Sequence, residues 1–224
     1  MAANKKISLR DRILNVLVLV VIAAFVLFVW NGIEKNRNVA VPDGAVELEF
    51  PLSGGDFYIA QSGPGSDFSG DVHTSPDEKY AVDIIKDTGR VDLFGSDKLS
   101  LDNDPSFGVQ VFSPCTGQVV WTHNDTPDPP PGKKNPGAVA NSVTIDCGGF
   151  NVIMAHFKQY SVVVNTGDQV KAGDPIAAVG NSGNSTGPHL HIMAVRENSG
   201  GSDAMPLPML FGGRYLQKGD TVSR

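Results

Sequence analysis

The sequence predicts an all-β domain of packed antiparallel sheets, a barrel-sandwich in outline, preceded by a single N-terminal transmembrane helix. Three observations lead there. From about Glu49 the apolar residues come in short runs such as FYIA, YAVDII, QVVWTH, SVTID and NVIMAHF, rich in Val, Ile and aromatics. Clusters of Gly, Pro, Asn and Asp separate these runs, and the chain's 25 Gly and 15 Pro favour frequent turns over long helices. Beyond residue 33 no long segment carries the 3.6-residue apolar period of a helix, whereas Ile13–Trp30 is apolar on every face.

That first run, ILNVLVLVVIAAFVLFVW, is eighteen residues without a charge, and Asn15 is its only polar side chain. As a helix it rises about 27 Å, close to the roughly 30 Å hydrocarbon core of a bilayer. Lys5, Lys6, Arg10 and Arg12 precede it and Lys35 and Arg37 follow, so the N-terminus is expected to stay cytoplasmic. A cleaved signal peptide is the competing reading, and it fits less well because the run ends in Val29, Trp30 and Asn31 rather than in a small-x-small site. The expected organisation is a cytoplasmic tail at 1–12, a single-pass anchor at 13–33, a linker at 34–48 and the folded domain at 49–224, on the periplasmic or extracellular side.

Charge narrows the partners. The chain carries a net charge of −6, and because residues 1–12 hold four bases and one acid, the rest carries −9. An acidic exported domain is not built to collect nucleic acid by long-range attraction. Export also permits a disulfide between Cys115 and Cys147. The strands expected at 117–123 and 141–146 fold as a hairpin about a Pro-rich loop, which brings the two cysteines opposite each other; two free thiols remain the alternative. Two loops are long, Lys86–Phe107 and Asn124–Ala140, and each reads equally well as a cleft wall or as a solvent excursion.

Five histidines, His73, His123, His156, His189 and His191, are the candidates for chemistry. Alternate residues of a strand face the same side, so His189 and His191 in His-Leu-His point into one cleft while Leu190 faces the core. Zinc takes imidazole and carboxylate ligands and keeps one position for water when it is catalytic. An isolated His-x-His is weak evidence for such a site; its neighbours decide.

GNSGNSTGPHLHI at 180–192 closely resembles the C-terminal signature of the lysostaphin/LytM-type (M23) metallopeptidases. MAHF at 154–157 resembles the family's aromatic-Ala-His-Leu strand, and VNTGDQVKAGDPIAAVG resembles its GD-x-V-x-x-G hairpin. VFSPCTGQVV at 111–120 resembles its V-x-A-P-x-x-G-x-V strand, and the pieces follow in family order over roughly 73–195. The hairpin alone is also similar to biotinyl and lipoyl carrier domains, but no lysine stands at its tip in the carrier manner. The family's first ligand pair is usually His-x-x-x-Asp. Here HTSPDEKYAVDII offers His73 with either Asp77, at the usual spacing but beside Pro76, or Asp83, in the strand context Ala-Val-Asp-Ile that a subset of the family resembles. Asp83 is the expected ligand. His123 matches no family position and reads as a half-exposed strand histidine.

The resemblance implies a LytM-type catalytic domain with one zinc per chain held by His73, Asp83 and His191. It implies His156 and His189 as the groups that move a proton or stabilise the oxyanion, with their individual roles open. It further implies hydrolysis of a peptide substrate, in the first place peptidoglycan cross-links. The alternative is a non-hydrolytic relative that binds and activates a cell-wall amidase, which would be expected to lack one or more of the five positions.

Overall fold

Short alternating runs close into strands here because a period of two puts every second side chain on one face. In the computed structural model, which describes residue 15 and residues 18–26, 39–63, 73, 75–88, 100–197 and 204–224, the strands are β1 (Val46–Leu48), β2 (Asp56–Ser62), β3 (Val82–Asp87), β4 (Gln110–Phe112), β5 (Gly117–His123), β6 (Ser142–Asp146), β7 (Asn151–Ala155), β8 (Gln169–Val170), β9 (Pro175–Ala178), β10 (Leu190–Glu197), β11 (Ala204–Leu207), β12 (Met209–Phe211) and β13 (Thr221–Ser223). The main sheet runs β13-β2-β3-β10-β7-β6-β5-β8, with β11 added against β10. Its pairings are antiparallel; β4 and β9 form a second antiparallel pair, and β1 pairs parallel with β12.

One face of the sheet is dry. Val143, Ile145, Val152, Met154, Ile192 and Ala194 alternate into a core shared with Phe57, Ile59, Ile84, Phe157 and Ile176. Each such large side chain, fully buried, contributes roughly 1.5–3 kcal/mol. The opposite face stays open, with Ser142, Thr144, Ile153 and Ala155 half-buried. Strand register then aligns Asp83, His191, Ala155, Ser142 and His123 across β3, β10, β7, β6 and β5. A carboxylate and an imidazole thereby stand side by side on the open face, and a slip by one residue would turn both into the core.

The disulfide expected from the hairpin is present: Cys115 and Cys147 are bonded, with Cα atoms 5.9 Å apart and 32 residues of separation. In the chain-entropy account a loop of that length is stabilised by roughly 3–4 kcal/mol. A cavity of about 830 Å³ lies beside it, and none of the five histidines lines that cavity.

Several features differ from expectation. The run SVVV at 161–164 forms no strand: Val163 N–H bonds to the Ile176 carbonyl, but Val162 N–H goes to the Asn124 side chain, and Val163 is exposed. The short β8 and β11, and β1 inside the expected linker, carry too few residues for a periodic signal. The unit that contains the sheets begins at Pro42, ahead of Glu49. Residues 18–26 are helical, with exposed side chains. The tail at 1–12, most of the anchor at 13–33, residues 34–38 of the linker and the interior of the first long loop at 89–99 lie outside the described residues. Among the described residues no helix is long and apolar enough to cross a membrane.

Candidate metal centre

The site grows from the β3–β10 register. Asp83 and His191 are direct cross-strand partners, and His191 Nδ1 lies 2.9 Å from Asp83 Oδ1. His73 reaches the other carboxylate oxygen, with Nε2 at 3.1 Å from Oδ2. Among the described residues no hydrogen bond of normal geometry reaches His73 Nδ1, and a weaker backbone hydrogen bond with Gly63 favours the protonated ring. His189 stands just before β10 with Nε2 3.7 Å from Asp83 Oδ1, while Leu190 is fully buried, as alternation requires. Its Nδ1–H donates to the Gly187 carbonyl at 2.8 Å.

His156 arrives differently. The resemblance put it in a strand, but β7 ends at Ala155, and His156 has a left-handed backbone with φ of 64°. A non-glycine residue in that region is held there by its surroundings at some cost in energy. The turn aims the ring at the loop before β10, where Nδ1–H donates to the Ser182 carbonyl at 2.8 Å. Gly180 lets the two segments approach so closely: a Cβ there would lie 2.2 Å from the Lys158 backbone nitrogen. A ring nitrogen bonded to a carbonyl must carry the hydrogen, so the neutral form of either ring, His156 or His189, has its lone pair on Nε2. Their ring centroids are 4.7 Å apart.

Among the described residues, two sets of side chains offer ligand atoms within 4.8 Å of one another: His73, Asp83 and His191, and His156, His189 and His191. The first fits a zinc ion better, because its carboxylate brings a negative charge to the dication while the second set brings none. In the first set the ring nitrogens also converge on both oxygens of one carboxylate. Asp77 belongs to neither set. It sits in a 3-10 turn, Pro76–Glu78, bonded to the Ser75 hydroxyl. His123 bonds to Thr126 and pairs with Asp125, a structural role.

Electrostatics follow the geometry. Burial works to raise the Asp83 carboxyl, but the charge of His189 and the hydrogen bonds from His191 and His73 outweigh it and hold the group well below 3.8. Burial likewise works to lower His73, and the hydrogen bond and charge of Asp83 win, leaving it raised above 6.5. His156 is pushed down to about 3, first by burial and then by His189 and His191, so it stays neutral. Asp104, raised chiefly by burial, returns the first long loop to the neighbourhood of His189.

These directions give opposite pH dependences with and without metal. In the metal-free protein the protonated His73 contributes stability that is full below 6.5 and lost as pH rises through its raised value. Zinc needs the unprotonated ring, so its affinity rises over the same interval, by up to about tenfold per pH unit for one released proton. Melting of the chelator-treated protein and zinc titrations from about pH 6 to about 8 check both slopes. Parallel slopes would remove His73 from the ligand set.

Residues 99–203 match the model of peptidase family M23. A lysostaphin of Staphylococcus staphylolyticus is 41% identical over 69 residues, a segment that makes up 30% of this chain and 14% of that relative's length. Among solved structures, the catalytic domain of a point mutant of the prophage-encoded M23 protein EnpA from Enterococcus faecalis is 21% identical, covering 70% of this chain and 92% of that one at a TM-score of 0.44. The catalytic domain of the antimicrobial peptidase lysostaphin from Staphylococcus simulans is 21% identical, covering 67% and 86% at a TM-score of 0.38.

Proposed function

We propose that this chain, which carries a peptidase family M23 domain, is a zinc metalloendopeptidase that hydrolyses peptide cross-links of peptidoglycan outside the cytoplasmic membrane, to which residues 13–33 anchor it. One observation carries the reading. A His73–Asp83–His191 ligand set stands on an open sheet face beside two further histidines, each held through Nδ1 by a backbone carbonyl.

Zinc, when bound, supplies a Lewis acid that polarises a scissile carbonyl and lowers the pKa of water towards neutrality. The chain supplies the rest. His156, neutral and anchored through Nδ1–H on Ser182, offers Nε2 to take a proton from the attacking water. His189, fixed through Nδ1–H on Gly187, presents its Nε2 beside Asp83 as the second acid–base group. Whichever ring is protonated becomes a donor to the developing oxyanion. The half-buried strip of Thr144, Ile153 and Ala155 gives an extended peptide a floor beside these groups.

The test is a digest of purified peptidoglycan by the zinc-loaded full chain, resolved by mass spectrometry. Products with new amino and carboxyl ends, one water added per cut, and their loss on chelation are expected. A chain that binds zinc and the wall yet releases no peptide would sink hydrolysis in favour of the amidase-activating role.

A further inference from the structure

We propose that Asp128, in the loop between β5 and β6, is the positioning residue that sets both His156 and His189, an inference that rests on the hydrolytic reading above. The loop leaves the sheet at Asn124 and returns at Asn141; its middle is exposed, while Asp125, Asp128 and Pro129 bond to the segments after His156 and before His189. One carboxylate joins the two segments that carry the acid–base histidines. Asp128 Oδ2 accepts the Gln159 N–H at 2.9 Å, just past the His156 turn. Asp128 Oδ1 accepts the Asn181 N–H at 2.6 Å, at the start of the loop that leads to His189.

From that bridge hydrogen bonds run to the His189 ring, and the backbone step from Asn181 to Ser182 leads to the His156 ring. The Asn181 side chain donates to the Pro129 carbonyl at 2.8 Å and accepts from the Ser185 hydroxyl at 2.7 Å. Ser185 Oγ lies 2.9 Å from the Gly187 carbonyl and 3.3 Å from His189 Nδ1, so it faces the group that fixes that ring. On the other branch the Ser182 carbonyl holds His156 Nδ1–H, while the Ser182 hydroxyl donates to the Phe157 carbonyl at 2.7 Å and accepts the Asn141 N–H at 3.0 Å. Asn141, Asn181, Ser182 and Ser185 are all essentially inaccessible to water. A buried network of this kind is rigid when every member is satisfied and fails as a unit when one is not.

Asp128 is the acceptor with two separate obligations in that network. Without it the Gln159 and Asn181 amides lose their partner together, and among the described residues no second acceptor reaches either amide. The left-handed turn at His156 then loses a restraint on one side and the His189 loop loses one on the other. Zinc ligation is untouched, because His73, Asp83 and His191 stand on β3, β10 and the segment before β3.

The experiment compares Asp128→Ala and Asp128→Asn with Thr126→Val in the zinc-loaded full-length protein. Thr126 lies in the same loop and its hydroxyl donates to the Val139 carbonyl, so its loss weakens the loop without cutting the bridge. Asp128→Ala is expected to lower kcat by about 100-fold with KM within about threefold and one zinc per chain retained. Asp128→Asn, which keeps one acceptor but turns an NH₂ towards the other amide, is expected in between. Thr126→Val should remain within about threefold of the parent. In histidine-labelled protein the hydrogen-bonded Nδ1–H resonances of His156 and His189 should be sharp in the parent and in Thr126→Val, and broadened in Asp128→Ala. Intact resonances with unchanged kcat would overturn the proposal, as would equal losses of activity in Asp128→Ala and Thr126→Val. If the parent hydrolyses no peptide, the functional reading falls while the resonances still decide whether Asp128 positions the rings.

Discussion

Replacing Asp83 by alanine is expected to empty the metal site and abolish peptide hydrolysis, while Asp77→Ala leaves both intact. Asp83 is the one negative charge among five candidate side chains, and both its oxygens are engaged by histidines. Removing it takes away a ligand and half the charge that balances a dication. In the metal-free chain it also leaves His73 Nε2 and His191 Nδ1 without their partner in a largely dry site, at a cost of about 1–3 kcal/mol for each. The loss of zinc affinity should exceed the roughly 10–100-fold typical of losing an outer-shell partner. Asp77 has no such part, since its bond is to Ser75 within its own turn. Elemental analysis of both variants, with circular dichroism to establish that each is folded, separates them. A zinc-free Asp77→Ala beside a zinc-loaded Asp83→Ala would reverse the assignment.

How far the sequence carried this site depends on the range of the forces involved. The turn at Asp77 and the strand at Asp83 were legible because Pro76 marks the one and Ala-Val-Asp-Ile the other, both local signals. The common aim of His189 and His191 was legible for the same reason, since a period of two leaves no other arrangement once Leu190 is in the core. The main sheet was legible too, because long alternating runs such as β5, β7 and β10 declare their buried faces. Two-residue β8 and the parallel partnership of β1 with β12 were not, being fixed by partners far along the chain. The left-handed turn at His156 was also hidden. MAHF reads as continuous strand, and only the contacts of the Ser182 and Gly180 segment, more than twenty residues on, require the chain to bend there. The loop at 124–140 offered Pro and Asp with no period at all. Its tie to the segments after His156 and before His189 emerges only through the Gln159 and Asn181 N–H groups that Asp128 accepts.

Alanine at His156 or at His189 is expected to separate catalysis from coordination: each variant keeps one zinc per chain and a native melting profile, and each loses about 10²–10⁴-fold in kcat. The geometry explains why the metal survives. Neither ring contributes to the His73–Asp83–His191 set, and each is held through its Nδ1–H by a backbone carbonyl, Ser182 for His156 and Gly187 for His189. The two losses differ in kind. Removing His156 takes away a neutral base and leaves the left-handed backbone as it was, because alanine keeps the Cβ that makes that conformation costly. Removing His189 takes away the imidazole whose Nε2 stands 3.7 Å from Asp83 Oδ1. The double variant should fall little further than the worse single one, because groups that act as a unit in one proton relay are not additive. Steady-state kinetics on a defined cross-linked peptide, beside zinc analysis of the same preparations, measures this. Zinc lost from either single variant would move that histidine into the ligand set, and losses that simply multiply in the double variant would mean that the two rings act on separate steps.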